Sequence, residues 1–313
     1  MNDSAFEHVS CNLCGADQPV IIYKSNRNSS IKLKSNEFRS SGDEPLKDPL
    51  VKCKVCGFKY VTPRLDSAMV LNEYTNSVDE TFVSQAKGRE LTFKHCLAYI
   101  REIWKKTPGR ILDVGTANGS FLKVAKEAGW DVVGCEPNRW MCEWCKTNYG
   151  INIIQGTIFD SGFDNEDFDI VTLWDVLEHT PDPMATLREC VRVLRPGGLL
   201  VVNYPDIGSW IAKIMGRKWV FLLSVHYYYF TKDTIWQAIE RAGLSKVIVK
   251  PHIQNLEFDY ILFRSIPYLG LAGKIFRSLI KLSGLSTIQI PYWMGQTLVI
   301  AKKFEKPVLI ESK

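Results

Sequence analysis

Residues 109–122 read GRILDVGTANGSFL, and this stretch decides the fold. Its apolar residues 111–114 are typical of a short buried parallel strand, and Asp113 lies where that strand meets a turn. Gly115 and Gly119 bracket the turn, since glycine permits positive φ and lets a ligand approach the backbone closely. A helix follows, and the free N–H groups of its first turn attract an anionic group. The stretch therefore predicts the strand, turn and helix of a nucleotide-type site.

Further apolar runs, separated by helical patterns, continue this organisation. Residues 131–137 read DVVGCEP and contain Glu136, 23 positions after Asp113, where a carboxylate suits hydrogen bonding to ribose hydroxyls. Later strands are predicted at residues 151–155, 168–175, 198–203, 246–250 and 296–302. The alternation of strands and helices indicates an α/β fold.

The order of these motifs resembles that of the Rossmann-like, class I S-adenosylmethionine-dependent methyltransferases, whose first motif is Asp-x-Gly-x-Gly-x-Gly. The resemblance covers residues 108–303. It implies a doubly wound, seven-stranded sheet that is mostly parallel, with the last strand antiparallel. Ala117 replaces the middle glycine, and because alanine is small we expect the replacement to cost little. The positions Gly115, Ala117 and Gly119 also differ from the Gly-x-Gly-x-x-Gly spacing of dinucleotide sites.

The resemblance implies S-adenosylmethionine as the cofactor and indicates where it binds. Glu136 is expected to hold the ribose, and the turn at residues 156–158 is expected to flank the ligand. In the same resemblance Tyr74 lies over the cofactor, and packing of this aromatic residue against a neighbouring helix is the alternative. The expected cofactor-binding residues are Asp113, Gly115, Ala117, Asn118, Gly119, Glu136, Pro137, Thr157, Ile158, Trp174 and Asp175.

The sequence has two Cys-x-x-Cys-Gly knuckles, at residues 11–15 and 53–57, with 38 residues between Cys14 and Cys53. The polar start MNDSAFEH gives no signal peptide, and in the expected cytoplasmic location a reducing environment favours metal binding over disulfides. Four thiolates at this spacing satisfy tetrahedral coordination in a closed, structural site. The sequence therefore predicts one Zn²⁺ on Cys11, Cys14, Cys53 and Cys56.

The expected organisation has three parts: a zinc-ribbon domain at residues 1–62, a helical linker at 63–107 and the Rossmann-like domain at 108–313. An aromatic lid (204–230) and a helical insertion (260–292) interrupt the last part. Zinc knuckles followed by CGFKYVTPRL and an aromatic NEY segment resemble bacterial enzymes that methylate sugars, often in cell-surface glycan pathways.

That resemblance implies O-methylation of a sugar hydroxyl in a nucleotide-linked or lipid-linked glycan precursor. Methylation at a sugar carbon, an RNA methyltransferase that grips RNA with its zinc ribbon, and a non-catalytic cofactor-binding domain are the alternatives. Lysines and acids are mixed between Cys11 and Cys56, and the Asn/Asp-Pro-Pro-aromatic sequence of enzymes that methylate base amino groups is missing after the fourth strand. Both observations disfavour nucleic acid as a partner.

A sugar hydroxyl must lose a proton when it is methylated, and histidine accepts protons near neutral pH. His226 lies in the aromatic lid just before YYYFT, which makes it the candidate general base, and His179 follows the fourth strand as a second candidate. The alternative for His226 is a packing role between Trp219 and Tyr227, or a hydrogen bond to a loop carbonyl, and the alternative for His179 is a structural role that caps its own loop beside the cofactor pocket.

The net charge of +5 is too small to indicate nucleic acid, and no apolar run reaches membrane-spanning length. Within the insertion, residues 261–285 interleave apolar and basic side chains. This pattern is compatible with peripheral contact at the inner membrane face, with helical packing over the active site, or with a dimer contact. The sequence leaves the oligomeric state open.

Overall fold

The structure, a computed structural model, describes residues 5–27, 39–40, 42 and 44–304. Its N-terminal part is a small antiparallel ribbon that carries the two cysteine knuckles. Strands β2, β3 and β4 pair in sequence, and β1 pairs with β5. The five strands are β1 (Phe6–Glu7), β2 (Pro19–Tyr23), β3 (Leu50–Cys53), β4 (Lys59–Val61) and β5 (Arg64–Leu65).

Three helices connect the ribbon to the main sheet: α1 (Ser67–Thr75), α2 (Glu80–Ser84) and α3 (Ala86–Trp104). The side chains of Asp66 and Asp79 accept hydrogen bonds from backbone N–H groups in the first turns of α1 and α2. Such bonds satisfy donors that a helix start leaves free. Helix α3 buries Phe93, Leu97 and Ile100 against the main sheet, which fixes the linker on the Rossmann-like domain.

The main sheet has seven strands: β6 (Arg110–Val114), β7 (Asp131–Glu136), β8 (Ile154–Gln155), β9 (Phe168–Trp174), β10 (Leu194–Pro205), β12 (Leu244–Pro251) and β15 (Gln296–Lys303). Their order is β12-β15-β10-β9-β6-β7-β8. The last strand runs antiparallel to both of its neighbours, and the other pairs are parallel. The predicted fold is confirmed, although the third strand is wrong at residues 151–153, which precede β8.

Helices cover both faces of this sheet and bury its aliphatic side chains. The remaining helices are α4 (Ser120–Glu127), α5 (Arg139–Tyr149), α6 (Pro183–Val193), α7 (Trp210–Met215), α8 (Lys232–Arg241) and α9 (Phe258–Leu282). Short 3₁₀ turns lie at Leu177–His179 and Gly216–Lys218.

The aromatic lid joins the ribbon through strand β11 (Tyr228–Tyr229), which pairs with β4 so that Tyr228 lies opposite Tyr60. The ring of Phe58 stacks on that of Tyr228 at 5.6 Å between centroids. Most aromatic side chains of the lid are buried in the core. The ribbon and the lid thus share one four-stranded sheet, and the division of the chain into three domains stays a prediction.

The predicted insertion (260–292) belongs to a longer unit that starts at residue 254: a hairpin of β13 (Gln254–Glu257) and β14 (Gln289–Tyr292), with α9 between the two strands. Strand β13 docks on α3, because the backbone N–H of Asn255 donates to Oγ1 of Thr92 at 2.7 Å. Gly88 lies in the same contact, where a Cβ would overlap the carbonyl oxygen of Asn255. The hairpin is therefore held at the carboxyl edge of the main sheet, next to β15.

Candidate active site

The candidate cofactor site lies at the carboxyl ends of β6 and β7, where ligands bind in open α/β sheets. The loop after β6 folds back because the N–H groups of Gly115 and Thr116 both donate to the carbonyl oxygen of Cys135, at 2.9 and 3.2 Å. Gly115 has φ 64°, and a Cβ on it would lie 2.7 Å from Cγ2 of Val176. Glycine is required here both for the dihedral angle and for the close approach of the loop after β9.

Ala117 and Gly119 also have positive φ, at 47° and 75°. The expectation that Ala117 costs little considered only its size, but an alanine in the left-handed region carries about 1–2 kcal/mol of backbone strain. Its N–H donates to Oε2 of Glu136 at 2.9 Å, which offsets part of that strain. A Cβ on Gly119 would overlap Sγ of Cys145, so α5 packs directly on the loop.

Glu136 ends β7 and is 1% exposed. Its Oε1 accepts from the N–H of Asn138 at 2.8 Å, its Oε2 accepts from Ala117, and the hydroxyl of Tyr74 interacts with the same carboxylate. Burial raises the pKa of Glu136 above its usual value, whereas the hydrogen bonds from these donors oppose the rise. Because a carboxylate has about four acceptor sites, these three donors leave capacity for one more, such as a ribose hydroxyl.

Helix α1 covers this carboxylate. The Nδ2 of Asn138 donates to the carbonyl oxygens of Tyr74, at 2.6 Å, and of Ser77, at 3.0 Å. The Tyr74 hydroxyl also makes a 3.1 Å hydrogen bond with Oγ of Ser40. The structure therefore brings Tyr74 over the carboxylate that is predicted to hold the cofactor ribose.

Two further predicted cofactor residues are buried, Asp113 beneath the loop and Asn118 within it. Asp113 is 1% exposed, accepts from Oγ1 of Thr172 at 2.6 Å, and has its pKa raised to about 7 by burial. Oδ1 of Asn118 accepts from Oγ of Ser120 at 2.9 Å. Within the described residues, the buried Nδ2 of Asn118 has no partner, and a free donor at this loop fits a ligand bound there.

The other predicted cofactor residues surround the same edge of the sheet. Pro137 is half-buried, Ile158 is buried in the core, and Oγ1 of Thr157 donates to Asp160 at 2.6 Å. The Trp174 ring packs among core aromatics, yet its buried Nε1 lacks a partner in the described part of the chain. The contribution of these side chains to cofactor binding stays a prediction.

A partly buried polar cluster surrounds Asp175, which follows β9 with φ 54°. Its Oδ1 accepts from Nδ2 of Asn203 at 2.6 Å, and its Oδ2 accepts from Nε2 of Gln254 at 3.3 Å. Gln296 also interacts with this carboxylate, and burial raises the pKa of Asp175 while the positive charge of Arg89 opposes the rise. We call these five residues the Asp175 cluster.

Several polar atoms of this cluster are buried without a hydrogen-bond partner among the described residues: Nε of Arg89, Oδ1 of Asn203 and Oε1 of Gln296. Such atoms cost free energy unless a ligand or water satisfies them. The sequence identified only Asp175 of this cluster. The four others come from distant segments and belong to no motif, and only their convergence in the fold distinguishes them.

The two candidate catalytic histidines lie side by side, with ring centroids 4.6 Å apart. Nδ1 of His179 contacts the carbonyl oxygen of Val225 at 3.0 Å, and Nδ1 of His226 contacts that of Phe221 at 2.9 Å. Since a carbonyl only accepts, each Nδ1 carries the proton and each Nε2 keeps its lone pair. Burial lowers the pKa of His179 to about 4 and that of His226 well below its usual value.

Glu178 completes this group, and sequence reasoning missed it. Ligand atoms of Glu178, His179 and His226 all lie within 4.8 Å of one another. Glu178 is 1% exposed, neither carboxyl oxygen has a partner in the described chain, and burial raises its pKa well above the usual value. The sequence signal that could have identified Glu178 is its position directly before His179, a candidate catalytic residue.

The four knuckle cysteines converge as predicted. Sγ of Cys11 lies 3.4 Å from that of Cys56, Sγ of Cys14 lies 3.6 Å from that of Cys53, and all four are within 4.8 Å. Tetrahedral zinc with bonds of about 2.3 Å requires sulfur separations of roughly 3.8 Å. The donor set therefore fits zinc, and Asn12 anchors the first knuckle by accepting from the N–H of Met184 at 3.0 Å.

Comparison with known proteins supports the fold and the class. The family profile described as "Methyltransferase domain" matches residues 88–249. Curated relatives named ubiquinone biosynthesis O-methyltransferase, from Cereibacter sphaeroides and Aliivibrio fischeri, are each 30% identical, over 47% and 35% of this chain and 64% and 50% of their own. The chain thus spans about half to two thirds of these relatives.

Among solved structures, a SAM dependent methyltransferase from Archaeoglobus fulgidus superimposes with a TM-score of 0.50 at 20% identity, over 72% of this chain and 100% of that one. This likeness shows the fold. Since the family profile covers more than half of the chain, the chain belongs to the methyltransferase-domain family, and the predicted class of its Rossmann-like domain, an S-adenosylmethionine-dependent methyltransferase, is confirmed.

Proposed function

We propose that the protein methylates a hydroxyl oxygen of a sugar in a nucleotide-linked or lipid-linked glycan precursor. The Asp175 cluster carries this proposal. A sugar hydroxyl both donates and accepts, and the cluster offers a carboxylate, amide groups and a guanidinium within one partly buried region. Its unpartnered amide oxygens on Asn203 and Gln296 are both hydrogen-bond acceptors, which suit the O–H groups of a sugar as donors.

The cofactor half of the proposal depends on Glu136. Bound S-adenosylmethionine supplies a sulfonium methyl group, which the acceptor oxygen displaces while the electron pair of the broken bond stays on sulfur. The chain's part is to hold both partners in line, which accounts for most of the rate gain in such displacements. Glu136 would bind the ribose, the loop after β6 would contact the ligand closely, and Tyr74 would cover it.

We further propose that His226, with His179 beside it, accepts the proton released by the hydroxyl. An oxygen that carries both the new methyl group and its original proton is a strong acid. An imidazole of low pKa is therefore a sufficient proton acceptor. A low pKa also keeps both rings neutral, with Nε2 available, at cytoplasmic pH. Buried Glu178, with ligand atoms within 4.8 Å of those of both rings, can accept a hydrogen bond from the imidazolium once it forms.

A second candidate acceptor is the aromatic hydroxyl of a quinone precursor. The relatives named ubiquinone biosynthesis O-methyltransferase favour it. Such an acceptor presents fewer hydroxyl groups than a sugar, so it leaves more of the Asp175 cluster unsatisfied, and for this reason we place it second.

The acceptor class is tested by incubating the purified protein with ¹³C-methyl S-adenosylmethionine and four acceptor sets: nucleotide sugars, lipid-linked sugars, catechol-type quinone precursors and RNA. We expect a methylated sugar whose new methyl carbon has the chemical shift of an ether. A C-methyl signal would favour the carbon-methylating alternative. Turnover on the quinone precursors or RNA alone would contradict the proposal, and cofactor binding without turnover on every set would indicate a non-catalytic domain.

Replacing Glu136 with alanine removes the proposed ribose acceptor. We expect S-adenosylmethionine affinity, measured by calorimetry, to fall by roughly 1.5–3 kcal/mol, since a charged acceptor is lost. Asp131→Ala is the matched control, because Asp131 lies on the same strand with its side chain 69% exposed. Thermal unfolding without ligand separates misfolding from loss of binding. Unchanged affinity in folded Glu136→Ala would exclude the assignment.

Replacing His226 with alanine should leave cofactor affinity intact and reduce turnover by about 100-fold or more, as loss of a general base predicts. Added imidazole should restore part of the rate, which a packing role would not allow. Exposed His95 provides the control substitution, His95→Ala, with parental activity. Turnover of His226→Ala near that of the parent would transfer the role to His179 or Asp175.

We propose one structural Zn²⁺ on Cys11, Cys14, Cys53 and Cys56. Metal analysis of protein purified without chelator should find about one zinc per chain. The double substitution Cys53→Ser/Cys56→Ser should lose the metal, whereas Cys142→Ser, in a helical cysteine pair outside the ribbon, should retain it. Full zinc content in the double variant, or none in the parent, would overturn the site.

A further inference from the structure

Helix α9 has an apolar face that the rest of the described chain leaves uncovered. Of its 25 residues only Leu262, Gly273 and Ile280 are buried. Leu271 is 72% exposed and Leu282 is 86% exposed. The exposed large apolar residues of α9 and the turn after it, which we call the α9 face, are Phe263, Tyr268, Leu269, Leu271, Ile275, Phe276, Leu279, Leu282, Leu285 and Ile288.

The charge of this segment has one sign. Residues 260–303 contain no aspartate or glutamate, whereas α9 carries Arg264, Lys274, Arg277 and Lys281. Asp259, at the start of the helix, pairs with Arg277 at 2.7 Å and with Lys281 at 3.8 Å. Lys274 is exposed beside the apolar residues. Helix α9 therefore combines the apolar α9 face with four cationic side chains, and its one acidic residue, Asp259, pairs with two of them.

We propose that the α9 face binds the surface of a lipid bilayer that contains anionic lipids. Apolar side chains enter the boundary between head groups and acyl chains, and the lysines and arginines contact anionic head groups. A second copy of this chain fits less well, because a two-fold contact would bring together two helices that each carry four cations and only one acid. Among the described residues no helix is long and apolar enough to span a bilayer, so the contact is peripheral.

A break in the helix supports surface binding. Pro267 lies inside α9, and Gly270 has φ 56° and ψ −129°, so the segment bends between two shorter helical halves. Proline and glycine account for such a kink. Exposed Leu269 and Leu271 flank the bend. A bent helix can lie along a surface without extending into it.

The position of α9 links this surface to the candidate acceptor site. Strand β13 leads directly into α9, and Gln254 of β13 donates to Asp175. A bilayer bound at α9 would thus lie next to the hairpin that forms one wall of the Asp175 cluster. This link between the bilayer and the Asp175 cluster rests on the proposed function, and it favours a lipid-linked acceptor over a nucleotide-linked one. The membrane contact itself does not depend on the enzyme's substrate.

The test is co-sedimentation of the full chain, without cofactor or acceptor, with vesicles of phosphatidylcholine alone or mixed with phosphatidylglycerol. We expect binding to the anionic vesicles that weakens as salt is added. Leu271→Glu/Leu279→Glu should reduce the partition coefficient by about tenfold or more, since each substitution removes a membrane-buried leucine. Lys274→Glu should reduce binding to anionic vesicles only.

Ile21→Glu is the matched control, because Ile21 is an apolar side chain of the ribbon that is 59% exposed. Circular dichroism melts confirm that each variant folds. Equal binding by the leucine variant and the Ile21→Glu control would overturn the proposal. So would a lack of binding to anionic vesicles by the parent chain, and a dimer, seen by light scattering, that the leucine substitutions dissociate would then assign the α9 face to a second copy. Because the assay contains no substrate, its result is independent of the acceptor tests.

Discussion

The buried carboxylate of Glu136 is the interaction on which the rest of the site depends. A carboxylate that is 1% exposed is stable in the ionised form only if donors surround it. These come from separate segments: the N–H of Ala117 in the first loop and the N–H of Asn138 at the start of α5, with the Tyr74 hydroxyl of α1 beside them. One side chain thus fixes the loop, the helix start and the cover together.

The proposed acceptor side of the site, the Asp175 cluster, is assembled in a different way. Asp175 lies at the end of β9, but its partners come from β10, from the hairpin strand β13 and from β15, with Arg89 of α3 nearby. Antiparallel β15 places Gln296 at the same edge as the ends of the parallel strands. The insertion therefore forms part of this site and also carries the apolar, cationic helix α9.

This contrast explains what the sequence could predict. Glu136, the glycine loop and the cysteine knuckles each occur within a short motif whose spacing carries the chemistry, and the structure brings each group together. Arg89, Gln254 and Gln296 have no motif, because their role arises only from pairing between strands far apart in the chain. The sequence also did not predict the backbone strain at Ala117, because a motif gives the size of the side chain and not the φ angle of the residue.

A crystal structure of the protein with S-adenosylhomocysteine would test the central claim most directly, namely that the Glu136 carboxylate is the ribose acceptor and that the Asp175 cluster faces the transferred methyl group. We predict that a ribose hydroxyl donates to Glu136, with Tyr74 over the nucleoside and the sulfur directed toward Asp175. A nucleoside bound elsewhere, with Glu136 still contacting only Ala117, Asn138 and Tyr74, would contradict the account.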